Sequence, residues 1–160
     1  MKNIIVCDLD GTLANCEHRV HHVQKVDGNG LKKKPDWEAF YAGVKDDTVN
    51  PAVHAVLNKF INEYDPDHKA KIIFCSGRPE RCRADTTEWL AKHYLHIDYE
   101  CTLLMRKDGD FRADHLVKQE ILDNHINKEQ VLFVMDDRQQ VVDMWRRNGL
   151  TCFQVAAGNF

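Results

Sequence analysis

Two carboxylates at the end of an apolar run are the first residues in the chain that could do chemistry. Asp8 and Asp10 follow the β-branched run 4–6, and Gly11 and Thr12 come directly after them. Side chains two residues apart near a strand end point the same way, so these acids are crowded. Because like charges repel, a cation must lie between them or one acid must stay protonated. Gly11 permits a sharp backbone turn, and Thr12 adds a hydroxyl beside the acids.

A second pair of acids ends another apolar run. Asp136 and Asp137 follow residues 131–135, a run typical of a buried strand. Two adjacent acids in this position indicate an oxygen-ligand site more than a solvated loop. Oxygen ligands favour a hard ion, and Mg²⁺ with retained waters and a substrate oxygen fits best. A phosphate entering among four carboxylates would be repelled unless such an ion were present.

Two further positions could hold the oxygens of a phosphate. Ser76 and Gly77 follow the apolar run 71–75 and offer a hydroxyl and backbone donors at a turn, although an ordinary helix start has the same appearance. Lys118 follows Asp114 by four residues, near the start of a predicted helix, where the helix dipole does not favour a cation. Solvation at the surface is the commoner fate of a single lysine.

The elements that must position these groups alternate between strand and helix. The sequence predicts strands at 4–7, 71–75, 102–105, 131–135 and 151–155. This alternation is typical of an α/β fold with a parallel sheet covered by helices on both faces. Ligands bind such sheets beyond the carboxyl ends of the strands. Every polar group described above lies at one of those ends.

Five helices are predicted from apolar spacing and from start and stop signals. One short helix follows Pro35, one begins at Asn50-Pro51, and one ends near Tyr94. Another is expected to be capped by Asp114, and the last stops at Gly149. The residues expected to face the core are, for the five helices in turn, Trp37, Phe40 and Tyr41; Val53, Val56, Leu57, Phe60 and Ile61; Trp89 and Leu90; Leu116, Val117, Ile121 and Leu122; and Val141, Val142 and Trp145. The second of these helices is expected to end at residues 65–67.

Length and composition favour one globular domain over residues 1–160. The 160 residues are 43% hydrophobic and 29% charged, which is an ordinary globular composition. The net charge is −3, so the overall charge does not indicate a nucleic-acid-binding protein. No apolar run reaches membrane-spanning length and the start does not resemble a signal peptide, so a cytoplasmic protein without membrane association is expected. The six cysteines are expected to be reduced, buried thiols rather than a zinc or disulfide framework.

Residues 14–50 interrupt the alternation and predict a small insertion over the end of the first strand. An insertion of this size leaves room for a bulky substrate. Lys32 to Lys34, with Trp37 and Tyr41, could track a nucleic-acid backbone and stack a base, although a solvated loop before a core helix is the commoner outcome. Cys16 and its neighbouring histidines could hold a metal, but histidines scattered along a loop are commoner.

Four stretches of the sequence resemble the four motifs of the haloacid dehalogenase (HAD) superfamily. In chain order they are Asp8-Leu9-Asp10-Gly11-Thr12, Ser76, Lys118 and Asp136-Asp137. The resemblance implies a three-layer αβα sandwich with a central five-stranded parallel, Rossmann-like sheet and a small cap insertion after strand 1. It implies that Asp8 is a nucleophile forming an aspartyl-phosphate, and that Asp10 protonates the leaving alcohol and then activates water. Ser76 and Lys118 would hold phosphoryl oxygens. Mg²⁺ would bind Asp8, Asp136 and the carbonyl of Asp10, with Asp137 in support.

A longer resemblance points to the phosphatase domain of phage polynucleotide kinase/phosphatases. It rests on Gly109-Asp110-x-Arg112-x-Asp114, Val117-Lys118-x-Glu120-Ile121, the segment from Asp136 to Arg147, and Gln154-Val155-Ala156. It implies removal of 3′-phosphates from DNA or RNA ends in nucleic-acid repair. By the same resemblance, Arg19 and Arg78 fall at phosphate-binding positions of that family, together with Thr12 and Gly77. Asp114 falls where the family has an acidic residue near the lysine, here Lys118. No glycine starts a kinase phosphate loop, so a polynucleotide kinase would be a separate or fused partner.

Two other functions fit parts of the pattern. A 5′- or 3′-mononucleotidase, or another phosphatase of small esters, would use the same catalytic residues. A phospho-accepting receiver module also combines acids, Mg²⁺, a hydroxyl and a lysine, but there the acid pair comes first and the lysine last. Here Lys118 precedes the closing acid pair, and Asp10 stands two residues after the presumed acceptor, where it would hasten hydrolysis. A phosphatase is therefore favoured over a signalling module.

Overall fold

The computed structural model describes residues 2–60, 70–94 and 101–158. Its strands are β1 (Ile4–Cys7), β2 (Ala14–Asn15), β3 (Thr48–Val49), β4 (Lys71–Pro79), β5 (Cys101–Arg106), β6 (Val131–Arg138) and β7 (Cys152–Gly158). Its helices are α1 (Glu17–Val20), α2 (Trp37–Ala42), α3 (Pro51–Lys59), α4 (Arg83–Tyr94), α5 (Asp114–His125) and α6 (Gln139–Arg147). Single 3₁₀ turns occur at Val44–Asp46, Glu80–Cys82 and Lys128–Gln130.

Five parallel strands form the central sheet, in the order β5-β4-β1-β6-β7. The predicted α/β architecture with a five-stranded parallel sheet is therefore confirmed. β1 lies in the middle, between β4 and β6, and all four of its residues are buried. Parallel strands beside each other end at the same edge of the sheet, so the residues that follow β1, β4 and β6 converge.

The two faces of the sheet carry separate apolar layers. Ile4 and Val6 pack into the layer formed with α5 and α6, which includes the fully buried Trp145. Ile5 and Cys7 point the opposite way, into the layer formed with α3 and α4. This division follows from the alternation of side chains along a strand. Each fully buried aliphatic side chain stabilises the fold by about 1.5–3 kcal/mol, so the layers form a firm base for the polar edge.

The strands that contribute polar residues are longer than their apolar runs predict. Ser76, expected in a turn, lies within β4, which continues to Pro79 because β5 still pairs with it there. Asp136 likewise lies within β6, where it pairs with Gln154. β7 also continues beyond its predicted end at residue 155 to Gly158. Pairing with a neighbouring strand, rather than hydrophobicity, sets these ends.

Several details of the predicted helices are wrong. Val56 and Leu116 were expected to face the core but are about half exposed, because the buried stripes are narrower than the runs of apolar residues. Trp37 is also 43% exposed, whereas Phe40 of the same helix is buried. Asp114 does not cap α5: Ala113 occupies the cap position, and the Asp114 carboxylate turns toward cations instead. The predicted end of α3 at 65–67 lies outside the described residues.

The segment 14–50 is anchored at its base by a small antiparallel sheet. β2 and β3 pair Ala14 with Val49 and Asn15 with Thr48, which brings the two ends of the segment together. Between them, α1 and α2 enclose a small apolar cluster built around the buried ring of Phe40. This arrangement places α1 and α2 beside the carboxyl edge of the main sheet.

In the part of the chain that the structure describes, no helix is long and apolar enough to cross a membrane. The six cysteines have free thiols. Five are buried as expected, but Cys101, at the start of the outer strand β5, is exposed.

Candidate active site

The acids that end β1 and β6 meet around one lysine. Lys118 Nζ donates hydrogen bonds to Asp8 Oδ1 at 2.7 Å and to Asp136 Oδ2 at 2.9 Å, and lies 3.4 Å from Asp114 Oδ2. Its side chain is 1% exposed, so the commoner surface location does not apply. Burial alone would lower the pKa of Lys118, but Asp114, Asp136 and Asp8 outweigh burial and raise it well above its ordinary value. A fixed positive charge therefore lies at the centre of the site.

Three carboxylates beside this lysine could hold a cation. Asp8, Asp136 and Asp137 each offer one oxygen, and these oxygens lie within 4.8 Å of one another. Burial raises the pKa of Asp8 well above its ordinary value, and the neighbouring acids add to the shift although Lys118 opposes it. Burial and Asp136 raise the pKa of Asp137 to about 6. The single positive charge of Lys118 thus does not balance the negative charge of the three carboxylates. Their ligand atoms are all oxygens, which fit a hard divalent ion.

Asp136 is fixed from two further directions. Trp145 Nε1 donates to Asp136 Oδ2 at 3.1 Å, and the backbone N–H of Arg138 donates to Asp136 Oδ1 at 3.3 Å. The indole lies in the core beneath the sheet and is fully buried. Because its partners hold both oxygens, the Asp136 carboxylate is oriented before any ligand binds, which is typical of metal ligands.

Asp10 belongs to a different electrostatic environment from Asp8. Asp10 Oδ1 accepts hydrogen bonds from Arg19 Nη2 and from Arg78 Nε and Nη2, at 2.5 to 3.0 Å. Burial by itself would raise the pKa of Asp10, but Arg78 and Arg19 outweigh it and lower the pKa to about 2. Within the described residues, the Asp10 carboxylate is not part of the three-acid group. A role for Asp10 in metal binding therefore rests on its backbone carbonyl.

Asp47 is a functional candidate that sequence reasoning missed. Its buried carboxylate accepts two hydrogen bonds from Arg19, each 2.7 Å long, and one of 2.8 Å from Arg78. Its backbone carbonyl accepts a bond of 2.7 Å from Trp89 Nε1. Asp47 thus aligns both guanidiniums toward Asp10. Nothing in the charged segment around it distinguished Asp47 from its exposed neighbour Asp46.

The remaining predicted residues line the same edge. Ser76 is fully buried, and its Oγ accepts a hydrogen bond from the backbone N–H of Arg78 at 3.2 Å. Gly77 lies so close to Asp114 that a Cβ at this position would overlap the carboxylate. Burial would raise the pKa of Asp114, but Lys118, Arg138 and Arg106 outweigh it and lower the pKa.

Thr12 is buried, and its Oγ1 has no hydrogen-bond partner among the described residues. The turn before it contains Gly11 with a φ of 86°, a conformation that favours glycine. Thr12 and Asp137 line the same groove, although the Thr12 hydroxyl itself is buried. Every site residue predicted from the sequence therefore lies at the carboxyl edge of the sheet.

Cys16 and the histidines in and after α1 do not form a second metal group among the described residues. His18 Nε2 instead lies 3.0 Å from Asp47 Oδ1, and the rings of His21 and His22 contact each other. The side chain of Cys16 is buried in the small apolar cluster of the segment.

This sheet, with acids at the ends of β1 and β6, defines the chain as a HAD-type phosphatase, a phosphoric monoester hydrolase. Its fold matches that of CbbY from Rhodobacter sphaeroides, solved in complex with phosphate, with a TM-score of 0.61 at 13% identity over 100% of this chain and 88% of that one. Residues 36–160 also match the model described as polynucleotide kinase PNKP phosphatase domain. The chain belongs to this family of phosphatase domains, which decides against a receiver-like signalling module.

Two longer relatives share more of the sequence. A protein of Autographa californica nuclear polyhedrosis virus, with the provisional name bifunctional polynucleotide kinase/RNA ligase, is 31% identical over 143 residues, covering 89% of this chain and 17% of that protein. A chain in a structure of the Pnkp1/Rnl/Hen1 complex is 35% identical with a TM-score of 0.73, covering 100% of this chain and 48% of that one. The present chain therefore spans less than half of either relative.

Proposed function

We propose that the chain is a Mg²⁺-dependent polynucleotide 3′-phosphatase that works through an aspartyl-phosphate on Asp8 and repairs nucleic-acid ends. The observation that supports this most is the separation of the two acids of the first motif. Asp8 is paired with Lys118, whereas Asp10 is held by two arginines. One acid is thereby suited to attack and the other to proton transfer.

In the first step, a carboxylate oxygen of Asp8 attacks the phosphorus and the bond to the 3′-oxygen breaks. Asp10, in its protonated form, gives its proton to that oxygen, which leaves as a hydroxyl. The entering phosphate competes with Asp10 for the charge of Arg19 and Arg78. This competition raises the pKa of Asp10 from its low value and allows the carboxyl group to hold the proton.

In the second step, water attacks the phosphorus of the aspartyl-phosphate and gives a proton to the Asp10 carboxylate. Inorganic phosphate leaves and Asp8 is regenerated. The low pKa of Asp10 in the free protein keeps it ionised at neutral pH, as this step requires. Lys118, Ser76 and Thr12 stabilise the phosphoryl oxygens in both steps.

Asp8, Asp136 and Asp137 would hold the Mg²⁺, with the Asp10 carbonyl as a further ligand. When bound, the ion supplies positive charge to the phosphoryl oxygens and offsets the repulsion among these acids. HAD phosphatases in general use Mg²⁺, and the donor set contains oxygen alone. The ion therefore fits the site for reasons of both charge and ligand type.

A polynucleotide substrate is supported by the family match and by the names of the longer relatives. One relative is named as a polynucleotide kinase/RNA ligase, and another was solved in an RNA repair complex. By this likeness, the substrate is a DNA or RNA 3′-phosphate and a polynucleotide kinase is the expected separate or fused partner.

The decisive experiment compares phosphate release from a 3′-phosphorylated oligonucleotide with release from 3′- and 5′-mononucleotides. We expect a higher kcat/KM for the oligonucleotide. If the oligonucleotide is inert while mononucleotides turn over, the chain is a mononucleotidase and the polynucleotide assignment is wrong. The Asp8→Asn variant, which lacks the nucleophile, is the control for contaminating phosphatases in each arm.

A further inference from the structure

Three aromatic side chains line one cavity beside the catalytic pocket. Trp37 is 43% exposed, Phe111 is 93% exposed, and Tyr41 is partly buried. The rings of Trp37 and Tyr41 are stacked, with centroids 5.9 Å apart and an angle of 26° between planes. The cavity has a volume of ≈ 350 Å³, within the range of small-ligand sites. A single exposed ring needs no explanation, but three rings around one cavity form a surface for another ring.

The aromatic cavity adjoins the catalytic pocket and shares lining residues with it. The smaller pocket that contains Asp8 and Asp10 is also lined by Trp37 and Tyr41, and both spaces are bounded by Arg106. A substrate whose phosphate lies at Asp8 therefore places the group attached to that phosphate against the rings. In a nucleic-acid end, this group is the terminal sugar and its base.

The loop that presents Phe111 is tied down on both sides of the ring. Arg106 Nη1 donates to the carbonyl of Asp110 at 3.1 Å and to the carbonyl of Arg112 at 2.7 Å. The side chains of Asp110 and Arg112 also bind each other. Phe111 thus points outward from an anchored backbone, so its exposure follows from the way the loop is held.

Basic side chains are within reach of an anionic strand at this cavity. Its lining includes five cations, Arg81, Arg106, Lys107, Arg112 and Arg138, and three acids, Glu38, Asp110 and Asp114. Four of the cations are ion-paired, in part with Asp108 and Glu120 outside the lining. Arg81 also lies over the Tyr41 ring, 5.7 Å from its centroid. A larger groove beside Thr12, of ≈ 780 Å³, is lined by Glu17 and Asp137 and, among the described residues, by no lysine or arginine. Of the two spaces, the aromatic cavity is therefore the one that offers cations to a phosphodiester chain.

We propose that Trp37, Tyr41 and Phe111 bind the base of the nucleotide that bears the 3′-phosphate, and so select nucleic-acid ends over phosphate esters that lack a base. This inference rests on the proposed 3′-phosphatase function. Stacking on aromatic rings accepts any base, because every base has a π face. The site should therefore recognise the presence of a base rather than its identity. Lys32 to Lys34, considered above for this role, do not line the cavity in the described structure.

The test uses two oligonucleotides that differ only at the 3′-phosphorylated terminal nucleotide, which has a base in one and is abasic in the other. We expect the wild-type kcat/KM to be about 5- to 100-fold higher for the substrate with the base, mainly through KM. Trp37→Ala and Phe111→Ala should reduce this ratio toward one. Phe153→Ala is the matched control, because Phe153 is an exposed ring (54%) on β7 that does not line this cavity, and it should keep the wild-type ratio.

A binding measurement without turnover gives a second readout. The other two tryptophans, Trp89 and Trp145, are buried, so Trp37 is the one that a bound base can reach. In Asp8→Asn protein, the oligonucleotide with the terminal base should quench tryptophan fluorescence more than the abasic one. The difference should vanish in the double variant that also contains Trp37→Ala.

The outcomes separate this inference from the function on which it rests. Equal wild-type rates on the two oligonucleotides, with equal quenching, would overturn base binding and leave the 3′-phosphatase function standing. Inactivity on both oligonucleotides would overturn the 3′-phosphatase function and the inference with it. A wild-type preference that survives both aromatic substitutions would show that the base is bound elsewhere.

Discussion

Asp47 and Arg78 are joined by a buried hydrogen bond of 2.8 Å, although Asp47 lies in the segment 14–50 and Arg78 lies at the end of β4. The same carboxylate binds Arg19 through both of its oxygens. The segment therefore contributes to the site through an anion that positions two cations. Without Asp47, the positive charges of Arg19 and Arg78 would have to be balanced by the Asp10 carboxylate.

Replacing Asp47 by alanine should lower both stability and activity. Removing one partner from a buried ionic cluster costs about 3–5 kcal/mol, because the remaining charges stay buried without compensation. We expect a loss of this size in the free energy of urea unfolding, together with a fall in kcat. Asp46→Ala is the matched control, since Asp46 is the exposed neighbour. Asp47→Ala protein as stable as this control would contradict the positioning role.

Asp8→Asn should abolish turnover without weakening the fold. An amide cannot attack the phosphorus, so no phosphate should be released. The raised pKa of Asp8 means that its ionised form destabilises the folded protein near pH 7. Removing that charge should therefore leave the free energy of unfolding equal or higher, as measured in urea without Mg²⁺. Activity near the wild-type level would show that Asp8 is not the nucleophile.

Lys118→Ala should reduce kcat/KM by an amount that corresponds to about 2–4 kcal/mol of transition-state stabilisation. Lys118 is the fixed cation between Asp8 and Asp136, so its loss also increases the electrostatic repulsion between these two carboxylates. Steady-state kinetics should be compared with Lys128→Ala, whose lysine is exposed in the 3₁₀ turn before β6, at the opposite end of that strand from Asp136. Equal rates in the two variants would argue against a catalytic role for Lys118.

Chelation should silence the enzyme and Mg²⁺ should restore it. The three acids near Lys118 are oxygen donors, which suit this ion. Asp137→Asn should raise the Mg²⁺ concentration needed for half-maximal activity, because it removes one of the three charges. The measurement is phosphate release during titration with metal after dialysis against EDTA. Restoration by Zn²⁺ but not by Mg²⁺ would count against the oxygen-ligand site.

The stability of the protein should depend on Asp10 at low pH. The folded protein lowers the pKa of Asp10 from 3.8 to about 2, so ionised Asp10 stabilises the fold above about pH 4. This contribution should disappear as pH falls through about 2. We expect the difference in unfolding free energy between wild type and Asp10→Asn to shrink by about 2 kcal/mol between pH 5 and pH 2. A difference independent of pH would contradict the ion pairs with Arg19 and Arg78.

Much of this arrangement could be predicted because it depends on local pattern. Apolar runs revealed the strands, and the acids beyond them indicated the edge where Asp8 and Asp136 meet. The ends of β4 and β6 could not be predicted, since they depend on pairing with β5 and β7. Resemblance to the polynucleotide kinase/phosphatases singled out Arg19 as a candidate phosphate-binding residue, which no local pattern of the segment identified.

Asp47 escaped prediction for a different reason. Asp46 and Asp47 are the same residue type in the same charged stretch, and only contacts with distant residues distinguish them. Only part of the aromatic surface was predicted from the sequence. Trp37 and Tyr41 were considered as a base-stacking pair, but Phe111 comes from a loop 70 positions beyond Tyr41 and joins them only in the folded chain.

The central place of β1 in the sheet bears on how activity is acquired during synthesis. β1 is synthesised before the other strands of this sheet, but one of its neighbours, β6, ends at Arg138, and Asp8, which follows β1, binds a lysine 110 positions away. Such long-range pairing is slow to form and leaves the strand edges open in the meantime. The site must therefore remain incomplete until α5 and β6 have been synthesised, and recovery of phosphatase activity on refolding reports completion of the whole sheet.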